Sequence, residues 1–323
     1  MSELAADFLA AVPLFAGRDE AGLAELAGVL RRRSIAGGEV VWHQGDDARE
    51  LLIVVDGALS ASLHVPGNRV VEIATAGPGD TVGEIALLDR GPHTMTVRAV
   101  EGTTVLALGR VELAALLAPQ DPAAFDLRRR LAALLTARHR NQLARLADSL
   151  GGEPSGPSAE DADRAFAELE HCGPPDSRYV RRMATFHDLD SLALWGFLTS
   201  GRYARCQRGR TLVAEGAPST ACYLTINGAV EQVLARDTRR IRVGLAGPGQ
   251  AFGYESLIDG EPSPVTAATR ERTLLLVLPQ VAFERLFTSE TNISHVFLDV
   301  INRDLMAALR QALRPHARLA ASG

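Results

Sequence analysis

Val82-Gly83-Glu84-Ile85-Ala86-Leu87-Leu88-Asp89-Arg90-Gly91-Pro92-His93-Thr94-Met95-Thr96-Val97 is the stretch whose reading decides the fold. A small residue followed by Glu-Ile-Ala-Leu-Leu predicts one short helical turn, and the free backbone N–H groups of such a turn favour an anion. Glu84 at its start repels that anion unless its carboxylate accepts a hydrogen bond from a neighbouring hydroxyl. A ribose next to a phosphate meets both demands.

Working outward, the chain repeats itself. Gly38-Glu39-Val40-Val41-Trp42-His43-Gln44-Gly45 leads to Leu51-Leu52-Ile53-Val54-Val55-Asp56-Gly57-Ala58, and Gly209-Arg210-Thr211-Leu212-Val213-Ala214-Glu215-Gly216 leads to Cys222-Tyr223-Leu224-Thr225-Ile226-Asn227-Gly228-Ala229. Gly38 and Gly209, Gly45 and Gly216, and Gly57 and Gly228 all lie 171 positions apart. The spacing drops to 170 by Gly77-Pro78-Gly79 against Gly247-Pro248-Gly249, which predicts a hairpin loop one residue shorter in the second copy. It then holds through Gly83 and Gly253.

Short β-rich runs between Gly, Asp and Asn turns predict antiparallel strands, regularly spaced as in a jelly roll. The expected fold is mainly β with flanking helices: two tandem β-rolls, each followed by an amphipathic helix. Asp19 and Asp190 are placed to cap a helix leading into each roll. Leu127, Leu131, Leu135, Leu143, Leu146 and Leu150 form one later stripe, and Leu298, Ile301, Leu305, Leu309 and Ala312 the other. The stripes serve either packing on their own roll or dimerisation. Gly151-Gly152-Glu153-Pro154-Ser155-Gly156-Pro157-Ser158 has a flexible linker's composition. The expected division is residues 1–150, a linker at 151–173 with helical lead-in over 159–182, and residues 174–323.

The stretch from Gly83 to Val97 resembles the phosphate-binding cassette of cyclic-nucleotide-binding domains, in which a Gly-Glu-hydrophobic-Ala-Leu run is followed by Pro-Arg-Ala-Ala-Thr-Val. The resemblance covers nearly the whole chain as two tandem copies, similar to the catabolite-activator and kinase-regulatory-subunit β-rolls. It implies that Glu84 accepts the ribose 2′-OH while the Gly83, Glu84, Ile85 and Ala86 backbone meets the phosphate, with His93 and Thr94 completing the site. It implies a cyclic nucleotide such as cAMP as ligand, and no cofactor. The helix after each roll is then the one that lids the pocket and, in the catabolite-activator family, builds the dimer. Thr136, Asn141 and Gln142 are the residues on it that stand as candidates to contact the base.

His93 occupies the place of the family's arginine. Imidazole lacks the planar two-pronged donor of a guanidinium and is only partly charged near neutrality. Losing a charge-assisted hydrogen bond of roughly 1.5–3 kcal/mol predicts tenfold to hundredfold or greater weakening, unless the phosphate raises the histidine pKa, in which case binding tightens as pH falls. The other reading makes His93 a solvent-edge residue of a site turned to structural duty. In the second copy, Tyr254 stands where the family has Glu and Ser263 where it has Arg. Glu255 is one position out of register and Pro264 removes a backbone donor, so no ordinary cyclic-nucleotide binding is expected there.

The 323 residues are 46% hydrophobic, enough for two cores, and the formal net charge of −5 argues against general polyanion binding. Cys172, Cys206 and Cys222 form neither a disulfide framework nor a zinc pattern. The N-terminus lacks a basic secretion start, and no apolar run approaches the about 20 residues that span a bilayer, so a cytoplasmic location is expected. Arg31-Arg32-Arg33-Ser34-Ile35 looks like a basophilic kinase site, but its position makes it the first strand. Arg128, Arg129, Arg130, Arg138, Arg140 and Arg145 on the helix after the first roll read as its wet face. Only a short tail follows Arg314-Pro315, which leaves no helix-turn-helix visible. No nucleophile-base set appears, so catalysis is not expected. The reading is a non-enzymatic regulator that binds a cyclic nucleotide or related anion in its first module and signals through helix repacking. It is expected to contact a protein partner or form a homodimer, without nucleic acid or membrane. A ligand-free scaffold with vestigial pockets is the alternative, and a DNA-associated regulator the second.

Overall fold

The structure is a computed structural model that describes residues 3–65, 67, 69–118, 120–183, 186 and 191–322. Its compact units are Met1–Leu134 with His316–Gly323, and Leu135–Pro315.

In the first unit, α1 (Glu3–Ala11) and α2 (Glu20–Val29) precede the strands. Asp19 caps α2 as its sequence position predicts, accepting the Gly22 N–H at 2.9 Å. Two antiparallel four-stranded sheets follow. One orders β1 (Arg31–Ile35), β8 (Thr103–Gly109), β3 (Glu50–Asp56) and β6 (Thr81–Val82); the other orders β2 (Val40–Trp42), β7 (Thr96–Ala99), β4 (Leu59–Val65) and β5 (Arg69–Ala76). Alternating side chains of both sheets meet in a core that includes Ile35, Trp42, Leu52, Leu59, Val97 and Val105. The arginine run is β1, paired with β8, with Arg31 and Arg32 exposed and Ile35 turned inward. Helix α3 (Glu84–Leu88) follows β6, and α4 (Arg110–Leu117) follows β8.

The second unit repeats this plan. β10 (Arg202–Cys206), β17 (Thr273–Pro279), β12 (Ala221–Asn227) and β15 (Ala251–Phe252) form one sheet. β11 (Thr211–Val213), β16 (Thr266–Thr269), β13 (Val230–Arg236) and β14 (Arg239–Ala246) form the other. Its core positions are the counterparts of the first: Cys206, Val213, Tyr223, Val230, Ala267 and Leu275. The shortened hairpin is where the spacing puts it, since three residues separate β4 from β5 and two separate β13 from β14, with Asp237 at φ 49 in the tight turn. Gly57 and Gly228 show why the repeat keeps its glycines. They adopt φ 83 and 96, and a Cβ would fall 2.7 Å from the hydroxyl of Thr103 or 2.6 Å from that of Thr273.

Helix α5 (Pro122–Leu150) carries the first leucine stripe, and all six leucines are buried. The boundary between the compact units falls inside this helix, between Leu134 and Leu135. The stretch expected to be a flexible linker is tied to the second roll. Ser155 N–H donates to the Ala235 carbonyl at 3.2 Å, and Glu153 N–H to the Asp237 carboxylate at 3.2 Å. The lead-in is also not simply helical. Ser158 and Asp161 close a reciprocal capping box that starts α6 (Ala159–Ala167), and β9 (Glu170–Cys172) then pairs with β10 as a fifth strand.

Helices α7 (Ser177–Val180), α8 (Ser191–Leu198), α9 (Glu255–Asp259) and α10 (Gln280–Thr288) complete the second roll's surroundings; the expected cap Asp190 lies outside the described residues. Helix α11 (Asn292–Ser322) buries Leu298, Ile301, Leu305, Leu309 and Ala312 and continues past Pro315. No helix among the described residues is long and apolar enough to cross a membrane.

Candidate functional site

Gly83 turns the chain at φ 98 into α3, and its missing side chain matters, because a Cβ there would sit 3.0 Å from the Glu50 carbonyl and 3.2 Å from the Trp42 ring. The first amides of α3 have no acceptor one turn back, as in any helix start. Glu84 is buried, as is Ala86, whereas Ile85 and Thr94 are partly exposed. A carboxylate kept out of water at the mouth of a helix is costly unless a polar group meets it.

His93 is not at the solvent edge. It is 5% exposed, and its ring stacks on Trp42 with centroids 4.1 Å apart and planes 8° from parallel. Its backbone is fixed on both sides: Gly45 N–H donates to its carbonyl at 2.8 Å, and its own N–H donates to the Asp46 carbonyl at 2.9 Å. Thus Gly83, Glu84, Ile85 and Ala86 form one turn as expected, and His93 approaches that turn through Trp42, which also lies against Gly83. The sequence reading missed Trp42. Its only signal was a large aromatic at the inward position of a three-residue strand.

The second cassette keeps the backbone and replaces the chemistry. Gly216 N–H donates to the Ser263 carbonyl at 2.9 Å and Ser263 N–H to the Ala217 carbonyl at 2.8 Å, repeating the bonds around His93. The stacked Trp42–His93 pair is replaced by Val213 and Ser263, and the Ser263 hydroxyl donates to the Val265 carbonyl within its own turn. Tyr254, in the Glu84 position, is fully buried; burial above all pushes its phenol well up, so it stays neutral. Beside Tyr254, Asp304 of α11 accepts the Ala251 N–H at 2.7 Å, and Gln311 accepts the Leu245 N–H at 3.0 Å. The cavity left there is about 20 Å³, room for one water and not for a nucleotide. Burial raises the Asp304 carboxyl to about 7, against the opposing pull of the Ala251 N–H and Arg303. A signal for Asp304 existed in the sequence, since it interrupts the apolar stripe between Ile301 and Leu305.

The second half of α5 closes this cassette from another side. Arg140 donates through Nε and Nη2 to the two Asp259 carboxylate oxygens at 2.5 and 2.9 Å. The same guanidinium reaches the Pro262 and Glu261 carbonyls at 2.5 and 3.0 Å. His139 and Glu255, both buried, stand 3.4 Å apart. This corrects the wet-face reading of the basic helix at Arg140 and Arg128, while Arg145 is exposed. Arg140 is a clamp, and Arg128 is buried and donates to the Leu117 carbonyl, because helix-terminal carbonyls and an aspartate provide partners no local pattern announces. The proposed base contacts divide as well: Asn141 is exposed, Thr136 is buried, and Gln142 donates to the Leu309 carbonyl at 3.3 Å within the second unit. The three cysteines are free thiols, and among the described residues no group of His, Cys, Asp and Glu is arranged to hold a metal ion.

Two cassettes on two copies of one roll fit the match found with known proteins: the profile of the family described as "Cyclic nucleotide-binding domain" covers residues 32–120 and 204–290, just over half of the chain. The chain belongs to the cyclic nucleotide-binding domain family. It is 33% identical over 128 residues to the Cyclic AMP receptor protein of Thermus thermophilus, spanning 40% of this chain and 57% of that protein. It is 32% identical over 98 residues to the cAMP-dependent protein kinase regulatory subunit of Blastocladiella emersonii, 30% of this chain and 24% of that one. The matches span between 5% and 62% of the lengths of the curated relatives. Among solved structures, the regulatory domain of Toxoplasma gondii PKA with cAMP aligns over 92% of this chain and 94% of that chain, at 20% identity and TM-score 0.34. Relatives in this family of cyclic nucleotide-binding domains include regulators of transcription and of a kinase, and a lysophospholipase match is confined to 73 residues.

Proposed function

We propose that this chain is a non-enzymatic regulator whose first module binds a cyclic nucleotide or a related anion at Gly83, Glu84, Ile85 and Ala86, with His93 and Thr94 beside them, while its second module is held closed without ligand. The observation that carries the reading is Glu84: a carboxylate buried at the left-handed Gly83 turn is retained in the first cassette. Its counterpart in the second is a neutral, fully buried tyrosine. A ribose hydroxyl is of the kind that donates to a carboxylate such as Glu84, and a phosphate of the kind that accepts from the α3 amides.

Helix α5 follows the first module in the chain and carries Arg140 of the clamp on Asp259. Ligand that draws α3 inward repacks the start of α5, and the shift in population is read at its far end or by a protein partner. The stacking of His93 on Trp42 favours a second reading, a scaffold in which the ring serves packing alone.

The test is isothermal titration and thermal shift with cyclic AMP, cyclic GMP and cyclic dinucleotides at pH 6 and pH 8, on the whole chain and on Glu84→Gln. Stabilisation that is lost in Glu84→Gln supports the sensor. No heat and no shift up to millimolar ligand, with the protein folded, leaves the scaffold.

A further inference from the structure

A cavity of about 610 Å³ opens on the first module with Glu84 not among its lining residues; it is lined by Arg31, Arg49, Arg90 and Arg110 together with Asp47 and Glu112. We propose that this cleft is a second anion site, which takes a small ligand carrying two or three linked phosphates.

Four guanidiniums against two carboxylates leave an excess of positive charge in a concave site, where a field is focused rather than dispersed. The arginines of this module elsewhere are largely spent internally. Arg33 pairs with Glu39 and Glu50, Arg129 and Arg130 with Asp126, and Arg98 donates to the Gly38 carbonyl. By contrast Arg31, Arg49 and Arg90 make no side-chain hydrogen bond or ion pair among the described residues, and Arg110 is held by the Ala48 carbonyl. Three uncommitted forks around one cavity match the several oxygens of a di- or triphosphate, which a single carboxylate does not supply. The volume falls in the range of small-molecule sites, about 300–1,000 Å³.

The backbone is arranged to hold the charges there. Arg90 adopts φ 56, a left-handed conformation uncommon outside glycine, in the turn that leaves α3. Two residues later Pro92 bridges to Asp47, so the β2–β3 turn and the end of the cassette lie side by side in the lining of the cleft. Glu112 folds over Gly109 at the start of α4 and answers that helix end, so the surplus belongs to the arginines. Because His93 follows Pro92 directly, an occupant held by Arg49 and Arg90 on these two bridged segments also steadies the cassette.

The probes are inorganic pyrophosphate and tripolyphosphate, titrated against the full chain by calorimetry and thermal shift, with sulfate at matched ionic strength and an oligoglutamate peptide alongside. Arg90→Gly keeps the left-handed turn and removes a charge, and Arg49→Gln removes another from an exposed position. We expect polyphosphate affinity at least tenfold lower in each variant, slower hydrogen exchange at residues 89–93 on binding, and full retention in Glu84→Gln. Equal shifts with sulfate, preference for oligoglutamate, or affinity unchanged in both arginine variants overturns the proposal. The Glu84→Gln arm separates its failure from that of the cyclic-nucleotide reading, which Arg49→Gln leaves intact.

Discussion

Replacing Arg140 with alanine removes four hydrogen bonds from the second cassette in one step: two to Asp259 and one each to the Glu261 and Pro262 carbonyls. The Arg140 and Asp259 side chains are 19% and 24% exposed. That places the pair between open-surface ion pairs, worth about 0–1 kcal/mol, and buried ones, where removing one partner costs about 3–5 kcal/mol. Asp259 keeps the Glu261 N–H at 3.0 Å and some water, which softens the loss, while two carbonyls of the turn give up a charged donor. The expected destabilisation is about 2–3 kcal/mol, a midpoint fall of roughly 4–12 °C for a unit of this size. Urea unfolding of Arg140→Ala, Asp259→Ala and the double variant measures it, with a coupling of about 1–2 kcal/mol expected. Hydrogen exchange at residues 254–265 should quicken in step. A change below about 0.5 kcal/mol with unaltered exchange refutes the clamp and returns Arg140 to the solvated face.

The remaining predictions concern both modules. The raised folded-state pKa of Asp304, about 7 against 3.8, gives a contribution fully present below the unfolded value and lost as pH rises through the folded one. Stability therefore falls by about 1.4 kcal/mol per pH unit between the two and levels off above pH 7, and Asp304→Asn flattens that slope in urea titrations at pH 5, 6 and 8. His93→Arg restores the family's guanidinium, which also stacks on the Trp42 face, and tightens cyclic-nucleotide binding roughly tenfold to hundredfold by calorimetry; unchanged affinity means residue 93 does not reach the phosphate. Gly228→Ala meets the Thr273 hydroxyl at 2.6 Å in a left-handed turn and lowers stability by more than about 1 kcal/mol, whereas wild-type unfolding would contradict the turn geometry.

The duplication was legible because glycines at fixed intervals mark turns, and turns set the strand lengths of a roll. Gly57 and Gly228 occupy the same tight approach to Thr103 and Thr273, so their spacing carried the architecture with it. The first cassette was legible for a related reason: a short helix start, a glycine at φ 98 and a carboxylate are local features. The leucine stripes likewise announced buried helices, since periodicity of 3.6 is a property of the chain alone.

What the chain packs against was decided only in three dimensions. His93 is at the same sequence position on either reading, yet its stacking on Trp42 depends on strands more than fifty residues apart meeting in one sheet. Arg140 and Asp259 are separated by 119 positions, and nothing local distinguishes a guanidinium destined for water from one that will meet an aspartate and two carbonyls. The sequence by itself determined the repeat, the rolls and the first cassette's turn, because those follow from local backbone preference and periodic burial. Tertiary structure alone decided that Arg140 meets Asp259 and that Tyr254 and Asp304 are buried in the second unit, because that depends on which long-range partners remove polar groups from water.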